Sequence, residues 1–124
     1  MSPIKPKSGF TYVRKREGRI VPFDRGRIFK AVEKAMHASG EGNGQFTEEV
    51  TEAVIKALIK KHMVNGIVPK DAIPNIEEIQ DIVETQLILL DYPKAAKAYI
   101  LYRNERAKLR EQKQLVPERV TKLV

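Results

Sequence analysis

The sequence contains no cysteine, no tryptophan and only two histidines, and no stretch of it stays apolar over the ~20 residues that a membrane span requires. The missing cysteines exclude disulfides, cysteine-ligated zinc, iron–sulfur clusters and thiol nucleophiles. The first ten residues have no apolar core of the kind found in signal peptides. We therefore expect a cytoplasmic protein without a membrane segment.

Conventional catalytic motifs are also missing. His37 and His62 lie in predicted helices, and neither has a serine or carboxylate beside it in a recognisable motif. A Walker A sequence, whose backbone cradles phosphates, is absent as well. The glycine-rich residues 40–44 follow a predicted helix instead of leading from a strand into one, so they predict a connection between helices. These absences predict a chain that has no catalytic activity of its own.

The positive charge is concentrated at one end of the chain. The net charge is +7, and residues 1–30 contain nine basic and two acidic side chains, whereas the rest of the chain contains fourteen of each. Such asymmetry is typical of proteins that bind an anionic partner, namely a phosphate compound, nucleic acid or a membrane surface. The alternative is a solvated basic edge without a partner.

The pattern of apolar residues predicts a short β-hairpin followed by four amphipathic helices. The hairpin comprises residues 10–16 and 19–21 around a Glu17-Gly18 turn. The helices are expected at residues 25–39 after an Asp24 cap, after a Thr47 cap, after an Asn75 cap, and at residues 94–112. The fold class is therefore α+β and mainly α: a four-helix bundle capped by an N-terminal β-hairpin. The predicted organisation is a flexible segment at 1–9, one domain at 10–112 and a linker or tail at 113–124.

The predicted hairpin combines apolar and basic side chains. Because side chains alternate along a strand, Val13 and Lys15 should share one face, and Arg14 and Arg16 the other. A nucleotide needs this combination, since its base lies against apolar surface and its phosphates need cations. Arg27, in the first turn of the first helix, adds a cation. From these residues alone, the binding of a polyphosphate compound and the binding of a nucleic acid are equally compatible with the sequence.

Two separated blocks of sequence resemble the ATP-cone domain. The first runs from Val13 through the Lys15-Arg16-Glu17-Gly18 turn to Asp24, with Arg27-Ile28 after it, and the second covers residues 77–84 and 92–103. ATP cones are regulatory modules, known best from the N-terminus of ribonucleotide reductases, where they sense ATP against dATP. Their fold is a four-helix bundle capped by a small β-sheet or hairpin. The resemblance implies a non-catalytic activity sensor, either free-standing or part of a reductase.

The resemblance also implies roles for residues near the hairpin. Val13 would contact the adenine, and Lys15 and Arg16 would bind the phosphates. Arg14, which precedes them in the sequence, is also included among the expected nucleotide-binding residues. Asp24 would accept a hydrogen bond from the adenine amino group.

Further roles fall on the helices. Arg27 would face the phosphates from the first helix, and Gln80 would face the nucleotide from the third. Tyr99 and Arg103, on the last helix, would form a wall of the pocket. The expected ligand is ATP or dATP with Mg²⁺, and the expected protein partner is a reductase subunit or a second copy of the chain.

Two other functions stay open beside this one. A small nucleic-acid-binding protein could use the basic hairpin together with the basic residues of the last helix and tail. The sequence is also compatible with a helix bundle that only binds another protein. We rank both below the nucleotide sensor, and we do not expect a nucleic-acid partner.

Overall fold

The structure, a computed structural model of the chain, describes residues 9–42 and 44–115. A two-stranded antiparallel sheet comes first, with β1 at Tyr12–Arg14 and β2 at Ile20–Pro22. Four helices follow: α1 at Arg25–Ser39, α2 at Gly44–His62, α3 at Ile76–Leu89 and α4 at Pro93–Leu115. This confirms the predicted mainly helical bundle with its hairpin. Residues 1–8 of the predicted lead segment at 1–9 and residues 116–124 of the predicted tail at 113–124 lie outside the described residues.

The start of α1 follows directly from the sequence. Asp24 has an extended backbone, and its side chain accepts a hydrogen bond from the Gly26 amide at 2.9 Å. This contact satisfies one of the amides that a helix N-terminus leaves unpaired. At the other end, Gly40 adopts the left-handed conformation, with φ at +76°, and its amide bonds back to the last turn. The predicted cap and the predicted bounds of this helix are both confirmed.

The start of α3 is also set by local chemistry. Asn75 accepts a hydrogen bond from the Glu78 amide at 2.9 Å, and the Glu78 carboxylate accepts one from the Asn75 amide at 2.9 Å. The two bonds form a reciprocal capping box. The predicted Asn75 cap is therefore confirmed.

The start of α2 differs from the prediction. We expected Thr47 to cap this helix, because two glutamates follow it, but the helix begins one turn earlier, at Gly44. Thr47 is buried inside the helix, on the face that also carries Val50 and Val54. The threonine therefore contributes to the core, and the prediction of a cap was wrong. Similarly, α4 extends to Leu115, three residues beyond the predicted end of the last helix.

The hairpin turn contains one more residue than predicted. Lys15 donates its backbone N–H to the carbonyl of Arg19 at 2.7 Å, which leaves residues 16–18 as the turn. Gly18 has φ at +98°, a conformation that few other residues adopt without strain. Arg16 is therefore part of the turn and not of a strand, so the strict alternation predicted for its side chain does not apply.

The four helices pack in a ring around one hydrophobic core. α1 packs against α2 and α4, and α3 packs against the same two helices. Val32, Val54, Leu58, Val83 and Leu87 are almost fully buried between them. None of the described helices has both the length and the hydropathy needed to cross a bilayer.

The hairpin closes one end of this bundle. Phe10 and Val13 are buried in the core, and the backbone N–H of Arg14 donates to the carbonyl of Pro74 at 2.9 Å. These contacts hold the hairpin beside the start of α3. The start of α1 follows β2 directly, so the turn of the hairpin, two helix N-termini and part of α4 lie at the same end of the molecule.

Candidate functional site

A pocket of about 400 Å³ opens at the hairpin end of the bundle. This volume lies within the range typical of small-molecule sites. The turn of the hairpin, α1, α3 and α4 all contribute residues to its lining. We call it the basic pocket, because seven of its side chains are basic: Lys15, Arg16, Arg19, Arg27, Arg103, Arg106 and Arg110.

The inner wall of the basic pocket is apolar. This wall is formed by apolar and aromatic residues of the three helices, namely Ile28, Ala31, Ile76, Ile79, Val83, Tyr99 and Tyr102. Tyr99 is nearly fully buried, and burial raises the pKa of its phenol above the usual value near 10. An apolar wall facing several cations matches a molecule with one flat apolar part and one anionic part.

Gln80 provides an unusual polar atom in this wall. Its side-chain oxygen Oε1 is buried and has no hydrogen-bond partner among the described residues. A buried acceptor without a donor costs free energy, about 1–3 kcal/mol in mutational data. Gln80 lines the basic pocket, so a ligand that brings an N–H group there would recover this energy.

The basic side chains of the pocket differ in how they are already paired. Arg103 contacts three carboxylates of α3: Asp81 at 2.8 Å, Glu77 at 3.1 Å, and Glu84. Burial alone would lower the pKa of Arg103, but the hydrogen bonds that it donates to these carboxylates outweigh burial and raise that pKa above its usual value. Its side chain is only 18% exposed.

Four of the six remaining cations are freer, whereas Arg16 and Arg19 each form an ion pair with a glutamate. In the part of the chain that the structure describes, no ion pair involves Lys15, Arg106 or Arg110, and Arg27 is 4.0 Å from its nearest carboxylate, that of Asp24. Arg106 lies over the ring of Tyr102, 5.9 Å from its centroid. These four side chains can approach an anion without first breaking a close ion pair.

The basic pocket unites six of the nine residues that the sequence analysis selected. These are Lys15, Arg16, Arg27, Gln80, Tyr99 and Arg103. Sequence reasoning did not assign Arg19, Tyr102, Arg106 or Arg110 to the site. The spacing of the last three from Tyr99, at three, seven and eleven residues, puts them on one face of a helix and could have identified them.

Three selected residues lie elsewhere. Val13 is 8% exposed and packs in the hydrophobic core. Arg14 is exposed on β1, and its guanidinium donates to the carbonyl of Gly18 at 3.4 Å. Asp24 caps α1 and lines an adjoining cavity of about 420 Å³, which shares Arg27, Ala31 and Tyr102 with the basic pocket. Their roles in binding stay predictions.

Comparison with known proteins gives one matching family and several related enzymes. The family model described as the ATP cone domain matches residues 11–108. The chain is 36% identical to the vitamin B12-dependent ribonucleoside-diphosphate reductase of Thermoplasma acidophilum, over 82% of this chain and 13% of that protein. It is 32% identical to the ribonucleoside-diphosphate reductase subunit alpha of Chlamydia muridarum, over 78% of this chain and 10% of that protein.

A third relative is named as a reductase of ribonucleoside triphosphates. The anaerobic ribonucleoside-triphosphate reductase of Salmonella typhimurium is 33% identical over 91% of this chain and 14% of that protein. The chain thus corresponds to only 10–14% of the length of these relatives. The family match covers the hairpin, the first three helices and most of α4, and it includes every residue that lines the basic pocket except Arg110.

Proposed function

Because this chain belongs to the ATP cone domain family, we propose that it is a regulatory domain that binds ATP or dATP in the basic pocket. The observation that carries the proposal is the meeting of seven basic side chains with an apolar wall in one cavity of about 400 Å³. A nucleoside triphosphate has the matching chemistry, since it joins a flat base to a chain of anionic phosphates.

The phosphates are assigned to the mouth of the pocket. Lys15 and Arg16 approach it from the hairpin turn, Arg27 from the first turn of α1, and Arg106 and Arg110 from α4. Guanidinium groups bind phosphate oxygens through paired N–H donors, and lysine adds a mobile point charge. The N-terminus of α1 also favours an anion, because the helix dipole and the unpaired amides give it a partial positive charge.

The base is assigned to the apolar wall, beside Gln80. Adenine carries an exocyclic amino group where guanine carries a carbonyl oxygen. The unpartnered Oε1 of Gln80 can accept from the adenine amino group, whereas guanine has a carbonyl oxygen at that position and its N–H donors elsewhere on the ring, so guanine could pair with Oε1 only in a different orientation. This supports an adenine nucleotide over a guanine nucleotide.

Mg²⁺ is expected to enter with the nucleotide. Among the described residues, no three histidine or acidic side chains are grouped so that they could hold a metal ion. The protein would therefore bind the phosphates, and the phosphates would coordinate Mg²⁺, which retains much of its water shell at such sites.

The proposed output is a change in what the domain binds, since no catalytic motif was found in the sequence. Occupancy of the basic pocket would alter the hairpin end, and through it the contact with a reductase subunit or a second copy of the chain, in the cytoplasm. Such coupling requires that the two conformations differ in nucleotide affinity. We assign the domain to residues 10–112, between a lead segment at 1–9 and a tail at 113–124 whose first three residues continue α4.

Calorimetric titration with ATP, dATP and GTP tests this function. We expect saturable binding of both adenine nucleotides and weaker binding of GTP. A single-stranded oligonucleotide, titrated at two salt concentrations, serves as the comparison. Absence of saturable ATP and dATP binding, together with oligonucleotide binding that weakens steeply with salt, would favour the nucleic-acid alternative.

A further inference from the structure

One carboxylate of α3 reaches both the hairpin and α4. Glu77 lies in the first turn of α3, and its Oε2 is 2.6 Å from Nη2 of Arg16. Its other oxygen, Oε1, accepts a hydrogen bond from Arg103 at 3.1 Å. Glu77 thus connects two arginines that belong to different walls of the basic pocket.

The contact between Glu77 and Arg16 is electrostatic and not a well-aligned hydrogen bond. Oε2 of Glu77 is buried, and no group among the described residues hydrogen-bonds to it with acceptable geometry. Both side chains are close to half-exposed, so water and salt weaken their attraction. The connection is therefore close enough to occupy Arg16 and weak enough to be displaced.

The other two carboxylates beside Arg103 have a different position. Asp81 and Glu84 contact Arg103 from α3, and neither forms an ion pair with the hairpin in the described part of the chain. Arg103 therefore keeps two carboxylate partners if it loses Glu77. Arg16 has no other ion-pair partner among the described residues, so the loss of Glu77 frees it completely.

We propose that Glu77 is an internal competitor of the ligand: it occupies Arg16 and part of Arg103 when the pocket is empty, and the phosphates of the nucleotide displace it. The proposal rests on the proposed function and adds a means of regulation to it. A carboxylate and a phosphate use the same N–H donors of a guanidinium group, so one arginine cannot serve both fully.

Displacement of Glu77 would release only the turn of the hairpin. Val13 stays buried, and the bond from the Arg14 amide to the Pro74 carbonyl does not involve the pocket. Residues 16–19, which are exposed, would lose their tie to α3 and gain one to the ligand. Nucleotide binding is thereby converted into a change of the surface at this end of the bundle.

The test compares Glu77→Gln with Asp81→Asn. Each variant removes one negative charge from α3 and one contact with Arg103, but only the first frees Arg16. For Glu77→Gln, we expect ATP to bind about threefold to fivefold more tightly, in line with the strength of exposed ion pairs. For Asp81→Asn, we expect less than half of that gain. Calorimetry measures both affinities on the full chain.

Thermal unfolding without nucleotide separates competition from a purely structural role. Glu77→Gln should lower the melting temperature slightly, because an ion pair is lost, while it raises the affinity for ATP. Unchanged or weaker ATP binding by this variant would overturn the proposal, and so would an equal gain in Asp81→Asn. If the unaltered chain does not bind ATP, the proposed function is wrong, and that result does not depend on either variant.

Discussion

His62 Nε2 and Glu78 Oε1 lie 2.8 Å apart and join the last residue of α2 to the first turn of α3. Glu78 is nearly buried, and burial alone would raise its pKa. The hydrogen bond from the Asn75 amide, together with His62 and Lys61, outweighs burial and holds the pKa of Glu78 below its ordinary value of 4.5. The carboxylate therefore helps to hold the hairpin end of the bundle together.

The first prediction concerns the pH dependence of stability. A carboxyl group with a lowered pKa in the folded state stabilises the protein above its unfolded pKa, and loses this effect as pH falls through the folded pKa. Glu78→Gln should therefore lower the free energy of unfolding by about 1 kcal/mol at pH 7, and by much less once the pH has fallen below the folded pKa of Glu78, which lies under 4.5. Urea denaturation at several pH values measures the difference.

The control for this prediction is Glu33→Gln, the same exchange at an exposed position of α1. It should change stability by less than about 0.5 kcal/mol at any pH. A loss in Glu78→Gln that stays constant down to pH 3 would show that the stabilisation does not come from the ionised carboxylate.

The second prediction concerns the phosphates. Replacing Lys15 and Arg16 together by alanine removes two cations from the turn of the hairpin. Triphosphate binding should weaken at least tenfold, about 1.4 kcal/mol, with helix content unchanged because the turn is peripheral to the bundle. Calorimetry and far-ultraviolet circular dichroism measure the two quantities.

A matched control removes two cations from elsewhere. Lys56 and Lys60 are exposed on α2, which contributes no residue to the basic pocket. Their replacement by alanine changes the net charge equally and should weaken binding by less than about threefold. Equal losses in both double variants would mean that total charge, and not the pocket, determines affinity.

The third prediction concerns Gln80. Gln80→Leu removes the buried acceptor that has no partner, so the free energy of unfolding should stay the same or rise. ATP binding should weaken by about tenfold, whereas GTP binding should change little. Gln86→Leu, on the same helix outside the pocket, is the control. If ATP and GTP lose affinity equally, Gln80 does not select the base.

The fourth prediction links nucleotide and assembly. The excess positive charge of residues 1–30 repels a second copy of the same surface, and a bound triphosphate reduces this repulsion. We therefore expect dATP or ATP to change self-association or docking onto a reductase subunit, and the Lys15/Arg16 double variant to lose the change. Analytical ultracentrifugation at constant ionic strength measures it. Constant mass, with equal partner binding in all nucleotide states, would contradict the switch.

Much of the fold could be predicted because its signals are local. Asp24 and Asn75 cap helices through their own side chains and the next turn, so neighbouring residues suffice to recognise them. Thr47 misled the same reasoning, because the core and not the local sequence determines that α2 begins at Gly44. The predicted turn of the hairpin was one residue too short for a similar reason, because the length of the turn depends on how the two strands pair.

The site was less accessible to sequence reasoning. The cations of the hairpin could be selected from their clustering, and the resemblance supplied Gln80 and Arg103. The three carboxylates around Arg103 could not be foreseen, because they depend on how α3 lies against α4. The buried oxygen of Gln80 lacks a hydrogen-bond donor because of how the helices pack, and the residues near Gln80 in the sequence give no sign of it.

The basic pocket takes its first side chain from Lys15 and its last from Arg110. During synthesis, a ribosome releases the hairpin and α1 long before α4, so the pocket is incomplete until nearly the whole domain has emerged. A nascent chain that ends before Tyr99 carries the hairpin cations but lacks the two tyrosines and three arginines of α4 that complete the pocket. Ligand binding, which stabilises only a chain able to form the complete pocket, would therefore favour chains that contain the whole domain over chains truncated within it.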